Sequence, residues 1–588
     1  MPVTYLVNRN IVISPVLGSN VASTAGSNVF SIVSDPQGNV YIGGTYTGNG
    51  TTCFLPTALT TGPNTNTANT LPNVSATNST GGFFAKYNTS GNLVFSLGIA
   101  TAANVAVNSV CLDQTSSNIY VAFQYQTAAS TTLTINTPSL TGGSVAALTI
   151  PSSTASGETV PDWGACLLKV SALGAIQWAS TINSSVAGAS PLNDNVSSVI
   201  SDQLGNAYLA LQYNSGASGP SILNGAGPTG TPSGTTVQLA ASSAPTSGAL
   251  IKYSPTGQAQ WASCIIPSAA STVIISPGSP LTVDSTNSVY LGFNYPANST
   301  VSTVTLPKVA DNVGGTGGGG TVTLPSSATG ASYNGAIVRY ASSSGSSSQM
   351  LWCASLNNIT SGAGTYVTSL AFGAYGSLYA CGNVLSTTTT SVWNGQGTGA
   401  APAATGSTIS IPSTASTSTS SGYVLKFFSS NGVCQTSSTI SPTTASNNST
   451  YTSICVDSSD INVYACGKCS TGASSALNIL NPNGTITCTL PGTTTAATSE
   501  AFMARFFMGN ALASTTFTGA NGSTLTQLNS VFIDSGANNV YASGQYNGTL
   551  STIISAATAT GPTGTPGLTM PGVSNSTTNP SAVWFKCA

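Results

Sequence analysis

Seven basic residues stand at one place in a repeated segment: Lys86, Lys169, Lys252, Arg339, Lys426, Arg505 and Lys586. Each closes a run of Gly, small, apolar, apolar, basic and aromatic character, such as GFFAKY (82–87), GALIKY (248–253) and GAIVRY (335–340). Successive spacings are 83, 83, 87, 87, 79 and 81 residues. A second run reads apolar-x-Asp, a short turn, then apolar-Tyr and a small residue. It supplies Asp35, Asp113, Asp202, Asp284, Asp457 and Asp534, and Tyr41, Tyr120, Tyr208, Tyr290, Tyr379, Tyr464 and Tyr541. Gly373 takes the acidic position once. Seven bases and six acids make 13 of the 22 charged residues in the chain, so the repeat holds most of the charge. Two chemistries fit. The charges could ring a channel and bind an anion, or they could be a structural ion pair or turn cap made afresh in every unit. Recurrence in every unit is what a structural consensus produces, and the Tyr series reads as packing in or near the core.

Other reactive constellations are sparse. Cys466-Gly467-Lys468-Cys469 is a C-x-x-C, which signals redox chemistry only in a βαβ context. Here it follows a strand motif, so the expectation is a disulfide, local or to a neighbouring repeat. With no His and no second ligand pair it is not a zinc site. Asp457 and Asp460 share one turn, too few carboxylates for Ca²⁺. No metal or other cofactor is implied. General acid–base work lacks its usual residues, since the chain has no His and only two Glu, Glu158 and Glu500. The expectation is that the protein is not an enzyme.

The elements that carry these residues are strands. Both motifs are runs of four to six apolar or β-branched residues bounded by Gly, Asn, Ser and Asp, and the D-x-x-G-N turn suits a tight hairpin. A third strand follows each basic motif, as in LVFSL (93–97), IQWAS ending at Ser180 and AQWAS ending at Ser263. Upstream of six of the seven basic motifs lies an apolar-Pro ending: Leu71-Pro72, Ile150-Pro151, Leu324-Pro325, Ile411-Pro412, Leu490-Pro491 and Met570-Pro571. Pro cannot donate to a ladder, so these segments read as outer strands. No stretch has helical periodicity.

Units of four or five antiparallel strands, seven times over, predict an all-β, seven-bladed β-propeller with enlarged blades of about 83 residues. Lys586 has almost nothing after it, and Asp35 has 34 residues before it without a basic motif. The ring is therefore expected to close with N- and C-terminal strands sharing one blade. The candidates at the N-terminus are 5–7 and 11–14. On this reading 1–46 completes the last blade, 47–125, 126–213, 214–295, 296–383, 384–468 and 469–546 are internal repeats, and 547–588 returns to the shared blade.

These motifs resemble the SBBP-type β-propeller repeat family, whose pattern runs G-x-x-F-V-A-K-Y, a Trp strand, then V-D-S-x-G-N-x-Y-V-x-G. The likeness spans nearly the whole chain through its strands. The chain departs in repeat length, at Gly373, and where the third strand lacks Trp. The resemblance implies the propeller fold and a surface or extracellular setting, and it says little about activity.

Composition narrows the role. Charged residues are 4%, against about 25% in ordinary domains. A net charge of −2 offers no field for nucleic acid, and no apolar run is long enough for a membrane helix. The first residues, MPVTYLVNRNIVIS, have no basic stretch followed by an apolar core, so no signal peptide is recognised. A surface of Ser, Thr, Asn, Gly and Ala near zero net charge favours association. The expectation is a structural protein that self-assembles into an extracellular or virion-associated fibre, tube or coat. Its partners would be copies of itself, other coat or surface proteins, or glycans. The alternative is a propeller-type carbohydrate-binding or adhesion module.

Overall fold

The computed structural model describes residues 15–587 apart from connecting segments, the longer of which are 48–52, 58–63, 73–78, 140–145, 155–159, 184–193, 298–303, 326–330, 359–363, 404–408, 414–418, 442–447, 471–476, 481–485, 491–498, 520–526, 556–565 and 572–580. All described regular elements are strands, and no helix occurs among the described residues. The 5–7 and 11–14 strand candidates lie outside them.

The strands fall into seven antiparallel units of four, each paired in the order first, second, third, fourth. Unit 1 is Ser27–Ser34, Val40–Thr47, Thr80–Tyr87 and Leu93–Ile99. Unit 2 is Val105–Leu112, Asn118–Gln126, Trp163–Ser171 and Ile176–Asn183. Unit 3 is Asn195–Ser201, Ala207–Tyr213, Ser247–Tyr253 and Ala259–Pro267. Unit 4 is Leu281–Val283, Val289–Ala297, Ala331–Tyr340 and Ser347–Asn357. Unit 5 is Gly364–Phe372, Ser377–Leu385, Ser421–Phe428 and Cys434–Ser441. Unit 6 is Asn448–Val456, Asn462–Ser470, Glu500–Phe507 and Asn510–Gly519. Unit 7 takes Gln527–Ile533, Val540–Tyr546 and Ser581–Cys587 from the C-terminal region, and its fourth strand is Pro15–Val21. That strand runs antiparallel to Ser581–Cys587, with Ser19 opposite Trp584.

The Ser/Thr-rich excess between second and third strands forms hairpins that end at the apolar-Pro positions, for example Cys53–Thr57 with Asn64–Leu71 and Leu133–Asn136 with Ala146–Ile150. These hairpins do not decorate their own unit alone. The insertion of unit 3 pairs with the fourth strand of unit 2, Ile222 opposite Ile182. Those of units 4, 5, 6 and 7 likewise pair with the fourth strand of the unit before. Each of these five insertions thereby caps an edge that would otherwise be open for pairing.

Apolar burial lies between units rather than within them. Successive strand residues point to opposite faces, so each unit feeds two cores. Seven clusters of buried apolar residues lie among the described residues, and each draws on two units. One of them joins Val29, Ile42 and Phe83 of unit 1 to Tyr541, Ala582 and Trp584 of unit 7.

Candidate functional site

The third strand of each unit pairs with the second so that the base sits directly opposite the Tyr. The pairs are Tyr41 with Lys86, Tyr120 with Lys169, Tyr208 with Lys252, Tyr290 with Arg339, Tyr379 with Lys426, Tyr464 with Arg505 and Tyr541 with Lys586. In all seven the cation lies over the ring, 5.2 to 6.0 Å from its centroid. A desolvated cation–π contact of this kind is worth up to about 2 kcal/mol.

The Asp of each unit caps the turn between first and second strands. Asp202 accepts from the backbone N–H groups of Leu204 and Asn206, at 3.0 and 2.8 Å, and from the Asn206 side chain at 2.8 Å. Asp35 and Asp113 do the same for their own turns. The same carboxylates receive the Tyr hydroxyls: Tyr41 to Asp35 at 3.1 Å, Tyr208 to Asp202 at 3.1 Å, Tyr290 to Asp284 at 2.8 Å and Tyr541 to Asp534 at 3.3 Å. Burial and the adjacent carboxylate push these four hydroxyls well above the usual phenol range, so they remain donors.

The expected pairing of base with Asp is met directly in unit 4, where Arg339 Nη2 lies 2.7 Å from Asp284 Oδ2. In units 1 and 2 the base reaches forward instead, while Arg505 donates to Asn462 within unit 6. Lys86 Nζ donates to the Ala172 carbonyl of unit 2 at 2.9 Å, and Lys169 Nζ to the Pro255 carbonyl of unit 3 at 3.0 Å. Arg339 also donates to Ser429 of unit 5 at 3.0 Å. Trp178 and Trp352 add indole donors to those same carbonyls, Pro255 and Ser429, at 2.9 and 2.8 Å. Burial lowers the pKa of Lys86, Lys169 and Lys252 while the nearby Asp opposes the shift. All seven bases lie over the Tyr of their own unit, and Lys86, Lys169 and Arg339 also tie their unit to the next.

Unit 5 lacks its Asp, and the gap is filled from outside. Asp460, on the first turn of unit 6, brings its carboxylate to the space where a side chain at Gly373 would be, and a Cβ there would overlap it. Burial and then the Asp460 charge push Tyr379 up, as the units' own Asp do elsewhere. The Asp457–Asp460 turn is thus divided between two units, because Asp457 caps its own turn through Ile461 and Asn462.

The C-x-x-C expectation is corrected. Cys466 and Cys469 are both free thiols on one strand. Three residues apart, they point to opposite faces, Cys466 into the core between units 6 and 7 and Cys469 into that between units 5 and 6. No disulfide can join them. Burial pushes the Cys466 thiol up to about 12, which keeps it protonated and unreactive.

Two series of functional residues were not read from the sequence. A second Tyr, five residues after the first in five units, clamps the end of the insertion: Tyr46 donates to Pro72 at 2.7 Å, Tyr125 to Pro151 at 3.0 Å and Tyr295 to Pro325 at 3.0 Å. The Tyr-x₄-Tyr spacing was its signal. A β-bulge in the first strand provides the other. The bulged residue donates to the next unit: Asn108 to Val196 at 2.6 Å, Ser197 to Ile275 at 2.7 Å, Thr368 to Tyr451 at 2.8 Å and Thr452 to Leu528 at 2.5 Å. Asn529 of unit 7 donates in the same way to Val29 of unit 1 at 2.8 Å. The Ser that follows the bulge often accepts an N–H from the next unit, as Ser109 does from Val199 at 3.1 Å. The recurrent polar-Ser-apolar triplet ahead of the Asp motif was its trace. These first strands, from all seven units, line one cavity of about 440 Å³. A second, of about 280 Å³, lies among the turns that carry Asp284, Asp457 and Asp534.

No protein family matches the chain, and no curated protein resembles it at a significant level. Among solved structures, hydrazine synthase of Kuenenia stuttgartiensis is 9% identical, with 82% of this chain and 100% of that one covered and a TM-score of 0.26. A protein described as a dipeptidyl aminopeptidase IV from Bacteroides ovatus is 8% identical, with 81% and 55% covered and a TM-score of 0.27. At these scores neither neighbour informs the chemistry of this chain.

Proposed function

We propose that this protein is a non-enzymatic structural building block: a seven-bladed β-propeller, closed by Pro15–Val21 in the last blade, that associates through a nearly uncharged exterior. One observation carries the reading. The repeated bases and acids are engaged inside and between units, over Tyr rings, in turn caps and on neighbouring carbonyls, which leaves Ser, Thr, Asn and Gly for the outside. Support for the ring comes from the Asn529 to Val29 bond, of the kind found at four other joints, and from the apolar cluster between units 7 and 1, of the kind found at all six others. A hydroxyl- and amide-rich surface can bond copies of itself with little dependence on salt. The setting that suits this is an extracellular or virion-associated fibre, tube or coat. The carbohydrate-binding alternative has less to stand on, because Trp178, Trp261, Trp352 and Trp584 are all buried and cannot serve as sugar platforms.

The test is negative-stain microscopy with light scattering in low and high salt. Regular filaments, tubes or arrays that persist in high salt are expected. A monomer of 58.3 kDa under every condition would defeat the assembly reading and make a glycan array the next experiment.

A further inference from the structure

Glu500 opens the third strand of unit 6 in a position where the other six units carry Gly81, Gly164, Ser247, Asn334, Ser421 and Ser581. The residue opposite it in the ladder explains the choice. Five units place the clamping Tyr there: Tyr46 faces Gly81, Tyr125 faces Gly164, Tyr213 faces Ser247, Tyr295 faces Asn334 and Tyr546 faces Ser581. The Tyr leaves little room for a partner; a Cβ on Gly81 would sit 2.5 Å from the Tyr46 ring. In unit 6 the sizes are exchanged, and Cys469 faces Glu500. The slot is filled from the other strand, by the only carboxyl at this position.

That carboxyl is buried. Glu500 is 9% exposed, and its Oε2 has no hydrogen-bond partner among the described residues. It lies on the same face as Cys469, toward unit 5. The titratable groups on that side are Cys469, Tyr451, Asp460 and, from unit 5, Cys381, Tyr379 and Lys426, with Asp460, Tyr379 and Lys426 at the far end, near Val463 and Phe506. Lys468 lies on the opposite face of its strand, and the fourth strand of unit 6 and the first strand of unit 7 carry no ionisable side chain. Among the described residues no cation pairs with the Glu500 carboxylate. A phenol and a neutral carboxyl are both O–H donors, whereas a carboxylate is an acceptor only.

We propose that Glu500 is a proton-controlled latch. Neutral, it fills the slot that the second Tyr fills in other units. Ionised, it leaves for water, loosening the start of its strand and the insertion just before it, whose strand Leu477–Leu480 grips the edge of unit 5 through Ile479 and Ile440. Burial raises the Glu500 pKa to about 7, which puts the transition near neutrality. The latch does not depend on the assembly reading, since it concerns contacts within one chain.

Amide hydrogen exchange of the full chain tests this, read at 477–480 and 500–506 and corrected for the intrinsic pH dependence. From pH about 5.5 to about 8 the corrected rate should rise at least about tenfold in the wild type and change less than about twofold in E500Q. C469Y/E500S rebuilds the Tyr–small pair of the other units and should also be indifferent to pH, so it carries the test if E500Q folds poorly. Equal protection of the wild type at both pH values would overturn the latch. So would a pH response in these segments that E500Q or C469Y/E500S retains.

Discussion

Units 4 and 5 solve one problem in two ways. In unit 4 every part comes from the expected place: Asp284 caps its own turn, receives the Tyr290 hydroxyl and pairs with Arg339. In unit 5 the turn residue is Gly373, the base is Lys426, and the carboxylate near Tyr379 arrives from Asp460 of unit 6. What the two share is a cation over a Tyr and an anion close to the hydroxyl. The fold therefore requires the local charge arrangement and is indifferent to which strand supplies it. The difference also shows how units are coupled. Unit 4 donates forward to Ser429, while unit 5 borrows backward from unit 6, so each is completed only by its neighbour.

This comparison can be broken by removing cations. Arg339→Met leaves Asp284, 3% exposed on its side chain, as a buried anion without its partner, and should cost about 3–5 kcal/mol in chemical denaturation. Lys426→Met loses a ring contact only and should cost about 1 kcal/mol. Equal losses would show that the ion pair adds nothing to unit 4.

The borrowed carboxylate can be returned to its usual position. Gly373→Asp alone places two acids in one space and should destabilise by about 1–3 kcal/mol. Combining it with Asp460→Ser should recover most of that loss, which a double-mutant cycle would report as a coupling of at least about 1 kcal/mol. Additive effects would mean that Asp460 does not stand in for the missing residue.

Much of this arrangement was legible in the sequence. The basic and Tyr motifs gave the second and third strands, because four to six apolar residues between turn residues leave little else to form. The apolar-Pro endings gave the insertion strands. Absent were the partners. Nothing local in the insertion says that it pairs with the unit before, and nothing in Asn108 or Thr452 names an acceptor more than 70 residues away. Gly373 read as a loss, because its replacement is held on another turn. The C-x-x-C read as a disulfide, because spacing alone does not record that strand residues three apart face opposite ways. The N-terminal strand candidates 5–7 and 11–14 lie outside the described residues, and the described strand beside Ser581–Cys587 is Pro15–Val21, whose Pro, Gly, Ser and Asn do not mark it as one.

Smaller effects sharpen the picture at the joints. Tyr46→Phe removes the donor to Pro72 and should cost about 1 kcal/mol, whereas Tyr375→Phe, on an exposed turn residue of unit 5, should change stability by less than about 0.5 kcal/mol. The pH dependence has a definite sign. Glu500 ionises near 7 in the fold and near 4.3 when unfolded. Between those values the folded chain binds the extra proton, so stability falls as pH rises toward 7 and levels off above it. Melting curves of the wild type and E500Q should therefore diverge most through that window.

The central claim is that seven equivalent joints, including the one between units 7 and 1, close the chain on itself. Cryo-electron microscopy of the purified protein tests it most directly. The account predicts end-on views with seven units around one axis and a strand from Pro15–Val21 on the outer edge of the unit that holds Ser581–Cys587. An open arc, a different number of units, or a seventh unit that lacks the N-terminal strand would contradict it.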